Sequence, residues 1–520
     1  MTPPPTRSTP KSASPEDDLG FLNSTGNQVA SSVILDPSHP SYVTYGPSSM
    51  SFSVKHTLLS LYFAHIQPIF PMFRRPVFYD DLLNGRIPEA LLVTMFAVAC
   101  RFLPDDKCNR LFGPTPAPWE HFSELAHQKS REDMDREQNL PVTLNSVRTA
   151  CLLALYEYTS TPSRQAWILV GNAMRLAIMA QLHQVDCAYF LEGLSPADRE
   201  ERRFVWWTIW RLDCTINVTT VTPFGIDSQM IGTALVSTTI ADFTAGLIKA
   251  TNNKVSEMDP IRSWLSVQGP QIYETGDGFN TYLFAVSLLR AVSECHQRLN
   301  TKPNPEDLKR IASLHEIFTA LELIFPCSFF APAKSPIEEF HTHRLRLETI
   351  IMLNTARLIM NEPFGQWTPE LPETSSNAAL VSFRSWRDSL NYAKDIASVF
   401  NHWPPDYFAV SDPIISCAIW HAYCGLMMFG MSGQGKSGPS CANVPTDVLE
   451  MLSVSLNSFT PWWPIARVLQ DSLQEFQAWS WATLDAARLV GLISHIRKAF
   501  NPFTSQPGRV DVSLLCDSLV

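Results

Sequence analysis

Residues 61 to 78 read LYFAHIQPIFPMFRRPVF, and this stretch decides how the chain folds. The residues Leu58, Leu59, Leu61, Tyr62, Phe63 and Ile66 recur at helical spacing, so the sequence predicts a largely buried helix ending just before Pro68. Pro68 and Pro71 lack amide donors and restrict the residues before them, so the chain must turn there. Phe70, Phe73, Val77 and Phe78 are expected to pin that turn onto a core. Arg74 and Arg75 are expected to satisfy helix C-terminal carbonyls or to pair with Asp80 or Asp81.

Outward from this corner the pattern stays helical. From Ser51 on, long apolar segments at helical spacing alternate with short connectors rich in Pro, Gly or Ser, and period-two alternation is almost absent. The expected class is all-α, a large irregular multi-helix array without a repeat of fixed period. Helices are predicted over about 53–66, 88–103, 118–138, 142–158, 162–183, 196–221, 278–300, 304–326, 336–361, 378–401, 411–430, 445–458 and 467–499. The best-marked start is Ser195-Pro196-Ala197-Asp198, where Ser caps, Pro suits the first helical position and Asp198 completes a capping box. Trp167, Val170, Met174, Ile178 and Leu182 form a predicted apolar face. Less ordered connectors are expected near 226–275, 366–378 and 431–445.

Four stretches follow: residues 1–50 as a tail, 51–235 as an N-terminal helical half, 236–500 as a C-terminal half and 501–520 as a second tail. The first tail is rich in Pro and Ser and poor in large apolar residues, a composition that cannot offset chain entropy.

With 520 residues, 45% of them hydrophobic, the chain can bury a sizeable core. A formal net charge of -10, with no three basic residues side by side, argues against nucleic-acid binding through the overall field. The eleven cysteines are irregularly spaced, mostly inside apolar runs, and read as small buried hydrophobes in a reducing compartment, which leaves the sequons at Asn23 and Asn217 unused. No apolar run reaches membrane-spanning length, so a soluble intracellular chain is expected.

Candidate chemistry is sparse. Gly430 to Ser437, GMSGQGKS, fits the phosphate-loop pattern, but a helix is predicted where that chemistry needs a strand, so a flexible connector is expected. Asp105-Asp106 faintly resembles the Asp-rich metal motif of terpene cyclases, without the second metal motif. His341 and His343 are two apart and His121 and His127 six apart, spacings that suit no metal. Cys417 and Cys424 share a helical face and are expected to be core.

Several ordered motifs resemble one family. After the opening corner come Ser146-Val-Arg-Thr-Ala-Cys-Leu-Leu-Ala-Leu155, then Arg164-Gln-Ala-Trp167-Ile-Leu-Val-Gly171, then Glu200-Glu-Arg202-Arg203-Phe-Val-Trp206-Trp207-Thr-Ile-Trp210-Arg-Leu-Asp213. Thr222-Pro223-Phe224-Gly-Ile-Asp227 follows, and looser signatures stand at 353–364 and 412–418. In this order they are similar to the fungal-specific transcription factor domain, the middle region of zinc-cluster transcription factors. The motif positions are Phe70, Arg75, Pro76, Trp167, Gly171, Arg203, Trp206, Trp207, Asp213, Pro223 and Asp227. Physically they read as scaffold: the tryptophans supply apolar area, and Arg202 or Arg203 is expected to bond a carboxylate such as Asp213 or Asp227.

The resemblance implies a nuclear transcriptional regulator of a metabolic gene set, secondary metabolism included, with no catalytic residue and no cofactor or metal of its own. It implies transcription machinery or a DNA-binding protein as partner, and it leaves room for a small-molecule effector between helices and for a homodimer. No two cysteines are three apart and none precedes Cys100, so the zinc-cluster motif is not seen here. DNA contact is therefore expected to be indirect, or to run through a zinc-cluster segment left out of this chain, the only case that calls for zinc. Two alternatives stand beside this reading: an all-α biosynthetic enzyme of such a pathway, and an interaction scaffold not localised to DNA.

Overall fold

Ser51 starts the first helix, its side-chain oxygen accepting from the Val54 amide and filling one of the donors a helix start leaves bare. The computed structural model describes residues 50–112, 118–136, 141–187, 193–248, 278–301, 305–362, 390–431, 446–477 and 492. The predicted tails at 1–50 and 501–520 and the connectors at 366–378 and 431–445 lie outside these residues, save positions 50 and 431.

Helix α1 (Phe52–Leu61) buries Leu58 and Leu59, then widens into a π-turn, Tyr62–Ile66, where a single helix over 53–66 was predicted. The Gln67 amide reaches back five residues to the Tyr62 carbonyl, and the wider turn sets Tyr62, Phe63 and Ile66 all inward. After the corner, α2 (Arg75–Leu83) begins with Pro76 in its first turn, a position that needs no amide donor. The sequence reading placed no helix here because the apolar period is weak: only Phe78 is buried, and Val77, expected in the core, is exposed.

Helix α3 (Glu89–Ala99) is buried on every side from Ala90 to Ala99, as befits a central helix. The exposed Asp105 and Asp106 open α4 (Asp105–Phe112), and α5 (Pro118–Arg136) follows. Thr143 caps α6 (Leu144–Ser160), Ser163 caps α7 (Arg164–Met179) and Ser195 caps α8 (Pro196–Thr220), each through its hydroxyl to the amide three residues on. Helix α3 packs on α5 and α6, α6 on α7, and α7 on α8. The inward face of α7 is Ala166, Val170, Ala173 and Ala177, so the predicted stripe holds in part: Val170 and Leu182 are buried, Trp167 and Met174 are half-buried against the core, and Ile178 is exposed. Alanines at the contact let helix backbones approach closely, which larger side chains would prevent.

Helix α8 is the spine, buried over most of Glu200 to Asn217, with Trp206, Trp207 and Trp210 shut from solvent. Val221 ends it at φ 52, a left-handed conformation that a β-branched residue adopts only under constraint. The constraint is visible: the Val221 and Thr222 amides both close on the Asn217 carbonyl.

The segment after α8 corrects an expectation. Residues 226–248 were predicted as part of a loose connector, yet Ile226, Ile231, Ala234 and Val236 are buried. Their backbone is held by side chains and a loop: Trp207 Nε1 donates to Ala234 O at 2.6 Å, Asn280 Nδ2 to Val236 O at 2.9 Å, and the Gly232 amide to His183 O at 2.6 Å. An extended chain can lie in a core without a ladder only when every buried polar group finds such a partner. The rest of that connector lies outside the described residues.

The remaining helices are α9 (Ile240–Ala245), α10 (Phe279–Thr301), α11 (Pro305–Ile324), α12 (Cys327–Phe330), α13 (Phe340–Met360), α14 (Ile414–Met431), α15 (Thr446–Phe459) and α16 (Pro464–Gln477). Residues 390–399 are helical, and short 3-10 turns cover Phe400–His402 and Pro405–Val410. Helix α10 packs against α8 and α13, α13 against α14, and α16 returns to α14, α15 and α6. The predicted helix over 467–499 begins at Pro464, and its continuation past Gln477 is outside the described residues. Among the described residues there is no strand, and no helix is long and apolar enough to cross a membrane. The chain is all-α, as the periodicity predicted.

Truncating a shut-in indole tests this core. Trp210→Ala should cost about 3–5 kcal/mol in urea unfolding, whereas Leu83→Ala, on an exposed position of α2, should stay within about 0.5 kcal/mol.

Candidate functional site

The corner at 67–74 presents carbonyl oxygens to an apolar interior, because two of its residues are prolines and its amides are few. Gln67 closes it from within: its Oε1 accepts from the Met72 amide at 3.2 Å and its Nε2 donates to Phe73 O at 2.7 Å. The other carbonyls are met from three helices. Arg344 of α13 donates to Pro68 O at 3.1 Å, Arg211 of α8 to Ile69 O at 2.5 Å, and Arg148 of α6 to Met72 O at 2.7 Å through Nη2 and 3.1 Å through Nε. Arg211 also lies over the Phe70 ring at 4.4 Å and Arg148 over Phe73 at 4.5 Å. A planar guanidinium suits this task, since it stacks on an aromatic face while its edge donates to carbonyls and carboxylates.

Each buried cation is matched. Glu201 takes Arg148 on one oxygen and Arg74 on the other, the latter at 2.7 Å, and Asp198 holds Arg74 at 2.6 Å. Arg74 therefore does not pair with Asp80 or Asp81, as was expected; Arg86 occupies both of those, and Arg75 lies by the Phe63 and Tyr79 rings at 5.7 and 5.8 Å. Deeper in, Arg344 pairs with Glu348 at 2.6 Å, Tyr282 donates to Asp412 at 2.9 Å, and Arg211 Nε stands 3.7 Å from the same Asp412 oxygen. The second Asp412 oxygen accepts from the Ile414 amide and starts α14. Burial raises the Glu348 carboxyl, Arg344 opposes that shift, and burial likewise raises the Tyr282 phenol.

Arg203 was expected to bond Asp213 or Asp227. It bonds Asp186 through two parallel contacts, at 3.0 and 2.6 Å, and Glu200 at 2.9 Å. The reason is helical rise: Asp213 lies ten residues along the same helix, roughly 15 Å away. Asp186 and Glu200 in turn accept from the backbone amides of Ala234, Ser237 and Thr238, clamping the extended segment onto α8. Asp213 serves a different turn, accepting from the Gly225 and Ile226 amides at 3.2 Å and from Asn217 at 2.7 Å. Burial raises the Asp213 carboxyl, and Arg290 and these donors oppose it. Asn217 is buried and also takes Thr222 and the Trp167 indole, so its amide is fully engaged inside the fold.

The motif residues are thus not gathered at one cleft. Phe70 belongs to the corner, and Arg75 and Pro76 start α2. Arg203 and Trp207 belong to the clamp, with Trp206 buried beside them. Trp167 and Asp213 brace the turn after α8, where Pro223 and Asp227 are exposed and Asp227 caps a short 3-10 turn. Gly171 sits on α7 under the Arg175 side chain. The sequence reading did not single out Arg148, Glu201, Arg211, Arg344 and Glu348, although charged residues embedded in apolar helix, as in Trp210-Arg211-Leu212, are a usable signal.

Among the described residues no group of three His, Cys, Asp or Glu is placed to hold a metal ion. Burial pushes the Cys417 thiol up to about 12, and His343 is engaged on both ring nitrogens by Tyr407 and Pro332 O. His127 faces Glu157 at 2.8 Å, and Asp106 pairs with Arg110. The phosphate-loop pattern lies outside the described residues from 432 on, and what precedes it is helix α14, not a strand. The arrangement ties helices together through charges satisfied within the chain.

Two measurements probe it. Arg211→Leu leaves Ile69 O and Asp412 short of a buried partner and should cost about 3–5 kcal/mol in denaturant unfolding, with Arg211→Lys falling between it and the parent. His341, next to Arg344 in the chain's fold, is lowered to about 4 by burial and by that cation. Its neutral form suits the fold, so this stabilisation is complete above 6.5 and is lost as pH falls toward 4. The stability difference between pH 7 and pH 4 should shrink by roughly 1–3 kcal/mol in His341→Gln.

The family model of the fungal-specific transcription factor domain matches residues 59–325, just over half of the chain. The zinc-cluster transcription factor FTF2 of Fusarium oxysporum f. sp. lycopersici is 29% identical over 171 residues, 31% of this chain and 15% of that protein. A negative regulator of pleiotropic drug resistance, STB5 of Candida glabrata, is 22% identical over 227 residues, 40% of this chain and 22% of that one. An uncharacterized transcriptional regulatory protein of Schizosaccharomyces pombe is 27% identical over 161 residues, 30% and 23% of the two chains. The chain thus spans less than a quarter of the length of each of these relatives, and no solved structure matches it. The matched region runs from α1 through the corner and the α8 clamp to the end of α11, and the chain belongs to the fungal-specific transcription factor domain family.

Proposed function

We propose that this chain is the control body of a transcriptional regulator acting in the nucleus on a metabolic gene set, secondary metabolism included. The observation that carries the reading is the corner itself: arginines from α6, α8 and α13 converge on five residues of chain, so a shift of one helix is felt by the others. Such a body relays a signal without chemistry of its own. Two relatives support this reading, one a zinc-cluster transcription factor and the other a negative regulator of pleiotropic drug resistance.

On this reading the chain reaches DNA through a DNA-binding partner protein or through a zinc-cluster segment, and zinc is required only in the second case. Transcription machinery is the further partner. A small-molecule effector would sit between helices against Trp and Phe side chains, and pairing of two copies is compatible with the function.

Deleting the gene and measuring all transcripts, with chromatin recovery of the tagged protein, tests the proposal. A coordinated set of metabolic transcripts should change, and the tagged chain should be recovered on their promoters. Unchanged transcripts together with one accumulating metabolite would overturn it.

A further inference from the structure

Helix α7 has two faces of different chemistry. Its inner face, Ala166, Val170, Ala173 and Ala177, is taken up by α6 and α8. Its outer face carries Arg164, Ile168, Arg175, Ile178 and Met179, all exposed, with Ile168 at 42% and Met179 at 67%. At 100° per residue Arg164, Ile168, Arg175 and Met179 fall within about 60° of one another, forming one stripe roughly 22 Å long.

The charge on this stripe has one sign. The helix, RQAWILVGNAMRLAIM, contains no Asp or Glu, and neither Arg164 nor Arg175 makes an ion pair among the described residues. The arginines buried around the corner and the clamp, by contrast, are matched: Arg74, Arg148, Arg203 and Arg344 each hold a carboxylate. Two unmatched cations lie on one stripe with exposed apolar side chains, a locally basic and apolar patch on a chain of formal net charge -10. Gly171 lies between them, and the Arg175 guanidinium rests 3.3 Å from where its Cβ would be, so the middle of the stripe is a shallow dip closed only by a flexible side chain.

We propose that the outer face of α7 docks an acidic amphipathic helix of a partner protein, its apolar side chains meeting Ile168 and Met179 and its carboxylates meeting Arg164 and Arg175. Charge complementarity decides for this occupant. A basic helix would meet two unscreened cations, and a second copy of the same face would set arginine against arginine. Arg175 swings off Gly171 to take a carboxylate, and the glycine then lets the partner's backbone come close. The inference stands on surface chemistry and is independent of whether the chain controls transcription.

The test uses the full chain and two labelled synthetic peptides of about four helical turns, with identical leucine spacing, one flanked by glutamates and one by lysines. Fluorescence anisotropy should show the glutamate peptide binding at least about tenfold tighter than the lysine peptide, with affinity falling as salt rises. Arg164→Glu with Arg175→Glu should weaken the glutamate peptide by about tenfold or more, and Met179→Glu by a comparable factor. All three positions are exposed, so far-UV circular dichroism and Tm should match the parent. Equal binding of the two peptides, or affinity unchanged by the double reversal in a folded variant, would overturn the proposal. So would sedimentation showing that Met179→Glu splits a dimer of the parent, since the face would then be filled by its own copy.

Discussion

Carbonyl oxygens turned into an apolar interior need donors, and in this protein the donors are guanidinium groups. That requirement shapes everything around the 67–74 corner. Arg148, Arg211 and Arg344 come from helices far apart in sequence and end within one short turn of chain. Each cation then needs a counter-charge, which brings in Glu201, Glu348 and Asp412, and Asp412 in turn fixes where α14 begins. One backbone feature thus sets the relative positions of four long helices.

A network of this kind contributes less to net stability than its short distances suggest. Removing several charges from water is costly, and well-packed apolar residues of similar volume can replace such pairs without loss. What the network supplies here is registry: an arginine stacked on Phe70 or Phe73 and forked onto a carbonyl has few alternative poses. Apolar packing, with Trp206, Trp207 and Trp210 among its largest side chains, tolerates small shifts, while the charged centre does not.

Much of this was legible in the sequence. Helical periodicity gave the class, and the hydroxyl cap at Ser195 marked a start to the residue. Prolines 68 and 71 marked the corner. Pairings were the weak point: Arg203 to Asp186 and Arg74 to Glu201 join residues whose nearness depends on how helices stack, which no local pattern encodes. The inner face of α7 was read only in part: Val170 was included, but its alanines look less like core than the neighbouring Trp167 and Met174, although close backbone contact favours the smaller side chain. The 226–248 segment was misread for a related reason: its polar residues and glycines look like loop, and the partners that bury its backbone sit on α8, α10 and the 182–187 turn.

That strapped segment has one more consequence. A buried strand normally belongs to a sheet, and a sheet ends in edges that can recruit foreign chains. Here indole, amide and carboxylate groups from α8, α10 and the 182–187 turn take backbone groups that a neighbouring strand would claim. The backbone groups of Gly232, Ala234, Val236, Ser237 and Thr238 are therefore already taken, and a helical protein holds an extended stretch in its core without building a sheet edge there.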